Sequence, residues 1–234
     1  QTVTYLTTGP TSGMITRDGV TLTYDGLEPI TDNSSATDRV FSLNPLVDLS
    51  DTAALTDNGD GTLTLAPTGI PTFESVTFTK PTSSLTINLD GDEGIPILSR
   101  DQLTISGVGL GAANLIINGE DGKDEVFFTG TVTVGDLTVT AEEITVTGTI
   151  TADAVTMTVA DVDDGKIVTG VYLAVPSVFI DLTGGSIIAT GAVQLTATAT
   201  ANVTPTPFEV SSLAGAIITV LPSAKITLDS TILT

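Results

Sequence analysis

Short segments in which apolar and polar residues alternate recur along the chain. Each segment contains a hydrophobic residue, then a residue that is often threonine, then a second hydrophobic residue and a small polar residue. A glycine or an acidic turn follows. Strict alternation puts one type of side chain on each face of an extended strand, so the pattern predicts half-buried β-strands. Six such segments are residues 84–88, 114–118, 136–140, 143–147, 154–158 and 225–229.

Composition supports the same fold class. Threonine accounts for 44 of the 234 residues, and hydrophobic residues for 41%, whereas aromatic residues account for only 4%. Threonine, valine and isoleucine are β-branched and favour pleated strands, so the chain is predicted to be all-β. Because aromatic side chains are scarce, aliphatic side chains must fill the interior, which suits a thin and regularly layered core.

The links between the predicted strands favour one all-β architecture. Many links are single glycines or short acidic turns of variable length. A hairpin meander would favour two-residue Asn-Gly or Asp-Gly connections. Short corners between short strands are typical of a right-handed parallel β-helix, a solenoid whose coils stack about 4.8 Å apart. We expect coils of about 20–25 residues. Asn88, Asn114 and Asn118 lie at strand edges, where they are expected either to align across coils in hydrogen-bonded ladders or to be turn residues without ladders.

The regularity of the pattern divides the chain near residue 80. Residues 1–80 form an irregular β region, interpreted as the first coils or a cap, and residues 81–234 are predicted to form regular parallel β-helix coils. The alternative architecture is a tandem pair of antiparallel β-sandwich modules. Antiparallel pairing between strands far apart in sequence would favour the sandwich.

Several segments resemble the repeats of very large bacterial surface proteins. Residues 20–30, 74–78 and 81–88 look like their repeat units. Residues 135–142, 148–152 and 193–199 resemble the β-helical shafts of filamentous haemagglutinin-like adhesins. The resemblance implies an extracellular right-handed β-helix at the cell surface, used as a stalk, sheath or adhesive fibre. It carries no catalytic residues to transfer.

The charge balance limits the possible partners. The chain has 28 acidic and 7 basic residues, a formal net charge of −21. Such a surface repels phosphate backbones and anionic lipid headgroups, so nucleic-acid binding is not expected. No apolar run is long enough to span a membrane, so membrane insertion is not expected either. The basic residues are dispersed along the chain: Arg17, Arg39, Lys80, Arg100, Lys123, Lys166 and Lys225.

Four turns concentrate carboxylates beside glycine. Calcium takes six to eight oxygen ligands, and glycine lets a loop fold around the ion, so these turns are candidate calcium sites. They lack tandem Gly-Gly-x-Gly-x-Asp repeats and complete no EF-hand, so solvated turns without a cofactor are the expected state. The candidate ligands are Asp57, Asp60, Asp90, Asp92, Glu93, Asp121, Asp124, Asp161, Asp163 and Asp164.

Catalytic chemistry has few candidate groups. The chain contains no cysteine and no histidine, which excludes thiol nucleophiles and the Ser-His-Asp arrangement. A glycosidase pair of carboxylates or a lyase with a basic residue remains an alternative. Arg100 and Lys123 lie beside acidic residues in the sequence, and we expect ordinary ion pairs there.

We therefore expect a non-enzymatic extracellular structural or adhesive protein, a rod segment of a large bacterial surface adhesin or fibre. Both ends of the chain lie in strand-like sequence, so we expect a segment of something longer. The expected partners are neighbouring repeats or end-to-end copies, and glycans or proteins on host or other cells. The alternatives are an S-layer or pilus-type β-sandwich subunit and a β-helical polysaccharide lyase or hydrolase.

Overall fold

The computed structural model describes residues 1–26, 29–43, 51–89, 100–119, 123–163, 166–168, 171–174, 177–201, 217–220, 223–227 and 231–233. The described residues form β-strands and no helix, so the all-β prediction is confirmed. The strands are β1 (Thr2–Gly9), β2 (Ser12–Arg17), β3 (Val20–Asp25), β4 (Ile30–Asp32), β5 (Asp38–Ser42), β6 (Thr52–Asp57), β7 (Thr62–Pro67), β8 (Val76–Thr79), β9 (Ser84–Asn88), β10 (Gln102–Ser106), β11 (Asn114–Asn118), β12 (Glu125–Phe128), β13 (Thr131–Thr133), β14 (Asp136–Ala141), β15 (Glu143–Val146), β16 (Thr149–Ala152), β17 (Ala154–Asp163), β18 (Lys166–Val168), β19 (Val171–Ala174), β20 (Ser177–Asp181), β21 (Ser186–Ala189), β22 (Val193–Ala201), β23 (Ile217–Val220), β24 (Ser223–Thr227) and β25 (Thr231–Leu233).

Two nine-stranded sheets form most of the described structure. Sheet A has the order β22-β17-β14-β11-β9-β5-β1-β2-β3, and sheet B has the order β24-β20-β15-β12-β10-β6-β7-β8-β4. Sheet C has the order β13-β16-β21-β25, and sheet D has the order β18-β19-β23. From β12 onward the chain passes through sheets B, C and A in turn. Strands of sheet D are inserted twice on the way from sheet A to sheet B: β18 and β19 follow β17, and β23 follows β22. The chain therefore returns to the same sheet after each circuit.

Strands of successive circuits pair in parallel and in register, but the circuits differ in length. Directly paired residues of sheet A lie 46 positions apart at Asp38 and Ser84, and 30 apart at Asn88 and Asn118. Asp124 and Glu142, which precede neighbouring strands of sheet B, lie only 18 apart. The circuits therefore vary more than the expected 20–25 residues.

The register builds the core from columns of apolar side chains. Most side chains of these columns are fully buried, as the alternating burial of β9, β11 and β14 shows. Burial of aliphatic side chains is the main favourable contribution to folding here, since each large one contributes about 1.5–3 kcal/mol. One column, called the central column below, contains Leu22, Ile15, Tyr5, Phe41, Ile87, Ile117, Val139, Met157 and Leu195.

Antiparallel pairing is confined to neighbours along the chain. It joins β1 to β2, β2 to β3, β6 to β7, β7 to β8 and β18 to β19. Sheets A, B and D are therefore mixed rather than wholly parallel. Every described pairing between strands distant in sequence is parallel, which is the opposite of the pattern that a β-sandwich would give. The domain boundary near residue 80 stays a prediction.

Sheets A and B advance together along the stack. In the parallel part, a strand of sheet A is followed along the chain by the strand of sheet B at the same place in the order, as β14 is by β15 and β5 by β6. Beyond β5 and β6 each sheet contains three more strands, which end at β3 in sheet A and at β4 in sheet B.

The predicted asparagine ladder is present. The amide of Asn118 donates to Asn88 Oδ1 at 2.8 Å, and the amide of Asn88 donates to Ser42 Oγ at 3.2 Å. Asn114 lies at the opposite end of β11, where its side-chain oxygen accepts the Asp136 N–H at 2.8 Å. Register therefore places like polar side chains at hydrogen-bonding distance across circuits.

Arg39 lies on β5 of sheet A, and its side chain is completely buried. Its guanidinium group lies 2.7 Å from the carboxylate of Asp32 and donates to the Tyr5 hydroxyl, to Thr79 Oγ1 and to the Ser34 carbonyl. Burial acts to raise the pKa of Asp32, but hydrogen bonds from Ser34, Tyr5 and Arg39 together lower it. Sequence analysis treated Arg39 only as a dispersed surface charge, and its internal position was missed.

Glycines stack at the corner between sheets B and C. A Cβ atom on Gly148 would lie 2.0 Å from the carbonyl oxygen of Gly130, and one on Gly130 would lie 2.6 Å from the Gly107 nitrogen. Backbone atoms cannot move aside as a flexible side chain can. The tight spacing of circuits at this corner therefore requires glycine.

The glycine corner generates the first prediction. Gly148→Ala should lower the free energy of unfolding by about 1–3 kcal/mol, because the methyl group overpacks against backbone. The matched control is Gly109→Ala, where the nearest atom to the new Cβ would be an Asp57 oxygen at 3.6 Å. Chemical denaturation measures both, and equal losses for the two variants would contradict the close-packed corner.

Candidate functional site

The candidate calcium ligands are spread over several places in the fold. Asp57 and Asp60 lie in the turn between β6 and β7, and Asp124 lies directly before β12. Asp161 and Asp163 lie in β17. Asp90, Asp92, Glu93, Asp121 and Asp164 lie outside the described residues.

Hydrogen bonds from nearby donors engage both carboxylates of the Asp57 turn. Asp57 forms an ion pair of 2.6 Å with Lys80 and accepts the N–H groups of Gly59 and Gly109. Asp60 accepts the backbone N–H and the hydroxyl of Thr62 at 3.0 and 2.6 Å. Burial acts to raise the pKa of Asp57, but these donors lower it, so the group stays ionised. Donors of the protein itself therefore already bind the carboxylates of Asp57 and Asp60.

Four acidic residues form a buried column at the corner that leads into sheet B. Asp51, Asp101, Asp124 and Glu142 each directly precede a strand, namely β6, β10, β12 and β15. Their exposed fractions are 1%, 0%, 0% and 6%. Because these strands are neighbours in sheet B, the four residues stack one above another. We call this set the acidic column.

Backbone N–H groups are hydrogen-bonded to the carboxylates of the acidic column. Asp101 accepts the Asp51 N–H at 2.6 Å, and Glu142 accepts the Asp124 N–H at 2.7 Å. Buried carboxylates are costly unless donors surround them, and backbone donors at a strand entry supply part of that compensation. The column therefore couples each corner to the corner of the next circuit.

A second acidic row lies one residue farther along, at the entry of the same strands. Gln102, Glu125 and Glu143 are neighbours in register, and the Gln102 amide donates to Glu125 at 2.5 Å. Arg100 reaches Glu125 at 2.6 Å and Glu143 at 3.4 Å. The expected ion pairing of Arg100 is present, although its partners lie in other circuits rather than at the adjacent Asp101.

Glu143 binds a proton more strongly than an ordinary glutamate. Burial raises its pKa to about 7, and the hydrogen bond and the negative charge of Glu125 add to the effect, while Arg100 and Lys123 act in the opposite direction. Glu143 therefore keeps its proton up to about neutral pH.

The contact between Glu125 and Glu143 bears on glycosidase chemistry. Glycosidase carboxyl groups stand about 5–5.5 Å apart in retaining enzymes and about 6.5–9.5 Å apart in inverting enzymes. Glu125 and Glu143 are adjacent in register on neighbouring strands, and Arg100 forms ion pairs with both.

Three further observations concern metal binding, membrane-spanning helices and similarity to known proteins. No group of three or more acidic residues in the described ranges is arranged to share a metal ion. Those ranges also contain no helix that could cross a membrane. Comparisons of the chain with protein-family models, curated proteins and solved structures found no match. The calcium ligands named from the sequence stay a prediction.

Sequence analysis singled out only Asp124 from the acidic column. Asp51, Asp101 and Glu142 were not named as site residues because none of them lies in a glycine-rich turn. A usable signal was present, since each acidic residue immediately precedes an alternating strand.

The acidic column generates the second prediction. Asp101→Ala should lower the free energy of unfolding by about 1–3 kcal/mol, because the buried Asp51 N–H loses its acceptor. Asp101→Asn, which keeps an acceptor oxygen, should lose less. The control is Asp153→Ala, an exposed carboxylate that accepts only a hydroxyl at 3.2 Å and should change stability by less than about 0.5 kcal/mol. Stabilisation by Asp101→Ala would show that repulsion within the column outweighs its hydrogen bonds.

Glu143 generates the third prediction, a pH dependence. In the folded protein Glu143 keeps its proton up to about pH 7, whereas in the unfolded chain it ionises near 4.5. Its contribution is fully present below pH 4.5 and is lost as pH rises to about 7, by about 1–2 kcal/mol for this partly exposed group. Glu143→Gln should remove that part of the loss.

Urea denaturation of the wild type and Glu143→Gln at pH 4.5, 5.5, 6.5 and 7.5 measures this difference. The control is Asp25→Asn, which neutralises an exposed carboxylate. If the wild type and Glu143→Gln lose stability in parallel over this range, then Glu143 does not carry the proton.

Proposed function

We propose that the chain is a segment of a right-handed parallel β-helix that forms the shaft of a large extracellular bacterial adhesin or fibre, without catalytic activity. The in-register parallel stack of sheets A, B and C is the observation that supports it. Parallel crossover connections are right-handed in about 98% of cases, which supports the handedness. Side chains in columns then repeat from circuit to circuit along one axis.

The contacts suit a mechanical role. Continuous backbone ladders and apolar columns resist bending and separation of the circuits, since each circuit contacts the next over all of its strands. The outward positions of sheet A are mainly polar, as Thr86, Thr138 and Thr156 show. These threonines, in a column that also contains Val40 and Ile116, help to keep a β-rich surface soluble and offer a polar face to glycans or proteins of other cells.

The two alternatives have weaker support. An S-layer or pilus-type β-sandwich needs antiparallel pairing between distant strands, and the described long-range pairs are parallel. A polysaccharide lyase or hydrolase needs space between its acidic groups. Glu125 and Glu143 are adjacent in register, and Arg100 forms ion pairs with both.

Pulling on single molecules tests the shaft. A stack of circuits should open in steps, and circuits of 18 to 50 residues should each release roughly 60–180 Å of chain. The chain is placed between two globular marker domains of known unfolding length, which serve as the internal control. Release of the whole chain in one step would contradict a circuit-by-circuit stack.

An enzymatic assay distinguishes the structural proposal from the lyase or hydrolase alternative. Acidic polysaccharides incubated with the protein, with and without calcium, should show no new reducing ends and no unsaturated products. Glu143→Gln serves as the matched variant, and activity that this substitution abolishes would replace the structural proposal with the enzymatic one.

A further inference from the structure

The outer face of sheet B carries two partly exposed aromatic side chains. Of the eight aromatic residues whose side chains the structure describes, six are buried in the core, among them Tyr5 and Phe41 of the central column. The other two are Phe127 on β12 and Phe179 on β20, and both are partly exposed. Both point outward, because the residues before and after each of them in its strand are buried.

Register brings these two rings onto one polar patch that spans three neighbouring strands. Strand β15 lies between β12 and β20, where Thr145 pairs with Phe127 and Glu143 pairs with Phe179. Asp181, two residues beyond Phe179, pairs with Thr145. We call these five residues the aromatic patch. Strands β10 and β24 pair on either side of it, so the patch lies within sheet B and not at an edge of the stack.

The sheet geometry sets the spacing between the two rings. Two strand steps of about 4.8 Å, and two residues of about 3.3 Å each along the strand, separate Phe127 from Phe179. Their Cα atoms therefore lie about 12 Å apart, with Glu143 and Thr145 between them. The rings form two separate apolar platforms with polar side chains in the space between.

The polar side chains of the patch suit a ligand rich in hydroxyl groups. Asp181 Oδ1 accepts the backbone N–H and the hydroxyl of Thr183 at 2.9 and 2.5 Å, and these bonds lower the pKa of Asp181. Its carboxylate is therefore ionised at neutral pH, and a carboxylate accepts up to about four hydrogen bonds. The hydroxyl of Thr145 can both donate and accept. Arg100 positions the Glu143 carboxyl group at the border of the patch.

This combination of groups fits a saccharide better than a protein. A sugar ring presents C–H groups that pack on an aromatic face, while the hydroxyls around its rim bind carboxylates and other hydroxyls. A stable protein interface buries about 800 Å² on each partner, whereas the Cα positions of the patch span only about 10 Å by 7 Å. The net charge of −21 disfavours an anionic polysaccharide.

We propose that the aromatic patch binds a neutral, extended polysaccharide, with a sugar ring on each phenyl group and its hydroxyls hydrogen-bonded to the polar side chains between them. This inference rests on the proposed adhesive shaft, and it names the ligand class and the site. The ligand is bound and not cleaved. A flat sheet face is sufficient for this contact, because each ring of an extended chain needs only one platform.

Affinity electrophoresis in native gels tests the binding. The strongly acidic protein migrates through gels that contain hydroxyethyl cellulose, a glucomannan, a galactomannan or a mixed-linkage β-glucan, with alginate as the anionic comparison. At least one neutral polysaccharide should retard the wild type, and alginate should not. Phe127→Leu and Phe179→Leu should each weaken binding about tenfold, because leucine stays apolar but has no ring.

The matched control is Ile116→Ala, which shortens a partly exposed, outward apolar side chain on β11 of sheet A. It should leave the retardation unchanged, and circular dichroism verifies that every variant keeps its fold. The proposal is overturned if no neutral polysaccharide retards the wild type, if both leucine variants bind in full, or if alginate binds more strongly. Self-association that the leucine variants abolish would assign the patch to a second copy and overturn it as well.

Tryptophan substitution gives a second readout that a purely structural role would not change. The chain has no tryptophan, so Phe127→Trp and Phe179→Trp each place a single reporter in the patch and keep an aromatic ring. Both variants should retain binding, and their emission should shift to shorter wavelength because the bound sugar displaces water from the indole. Ile116→Trp is the control and should show no shift.

Unchanged emission of both patch variants at saturating polysaccharide would overturn the proposal. The pulling experiment keeps this outcome separate from the shaft itself. Stepwise opening does not depend on the aromatic patch, so a failure of sugar binding leaves the shaft unaffected. Opening in one step would contradict the shaft even where the polysaccharide binds.

Discussion

In-register parallel pairing between successive circuits is the constraint on which the rest of the structure depends. It makes neighbours of residues that lie 18 to 50 positions apart, because each circuit returns its strands to the sheets that the preceding circuit used. The asparagine ladder, the apolar columns, the glycine corner and the acidic column are all consequences of that one rule. A one-residue slip would turn every inward side chain outward, so alternation and register enforce each other.

The same rule stacks like charges, and the molecule compensates for this locally. Asp101 and Glu142 accept buried backbone N–H groups, and Glu143 keeps its proton up to about pH 7 beside Glu125 and Arg100. With 7 basic residues for 28 acidic ones, pairing every carboxylate with a cation is impossible. Backbone donors and protonation therefore replace salt bridges, which makes the stability of the stack sensitive to pH rather than only to salt.

Local alternation predicted the strands of residues 84–88, 114–118, 136–140 and 154–158, and these strands do lie side by side in sheet A. Alternation depends only on adjacent residues, so it is visible in the sequence. The acidic column and buried Arg39 depend on which residues meet after a circuit, and the circuits have no fixed length. Without a constant period the sequence cannot show that Asp51 and Asp101, 50 residues apart, form one hydrogen bond.

The antiparallel hairpins are part of the stack rather than an interruption of it. Strands β2 and β3 extend sheet A, and β7 and β8 extend sheet B, by one pair each. An even number of reversals restores the original strand direction, so the last edge resembles the edge of an ordinary circuit. A single reversal would have left an edge that points against every strand of a following parallel stack. The hairpins thus add two strands to each sheet without the corners of a full circuit, and they leave the last of these strands in the direction of the parallel ladder.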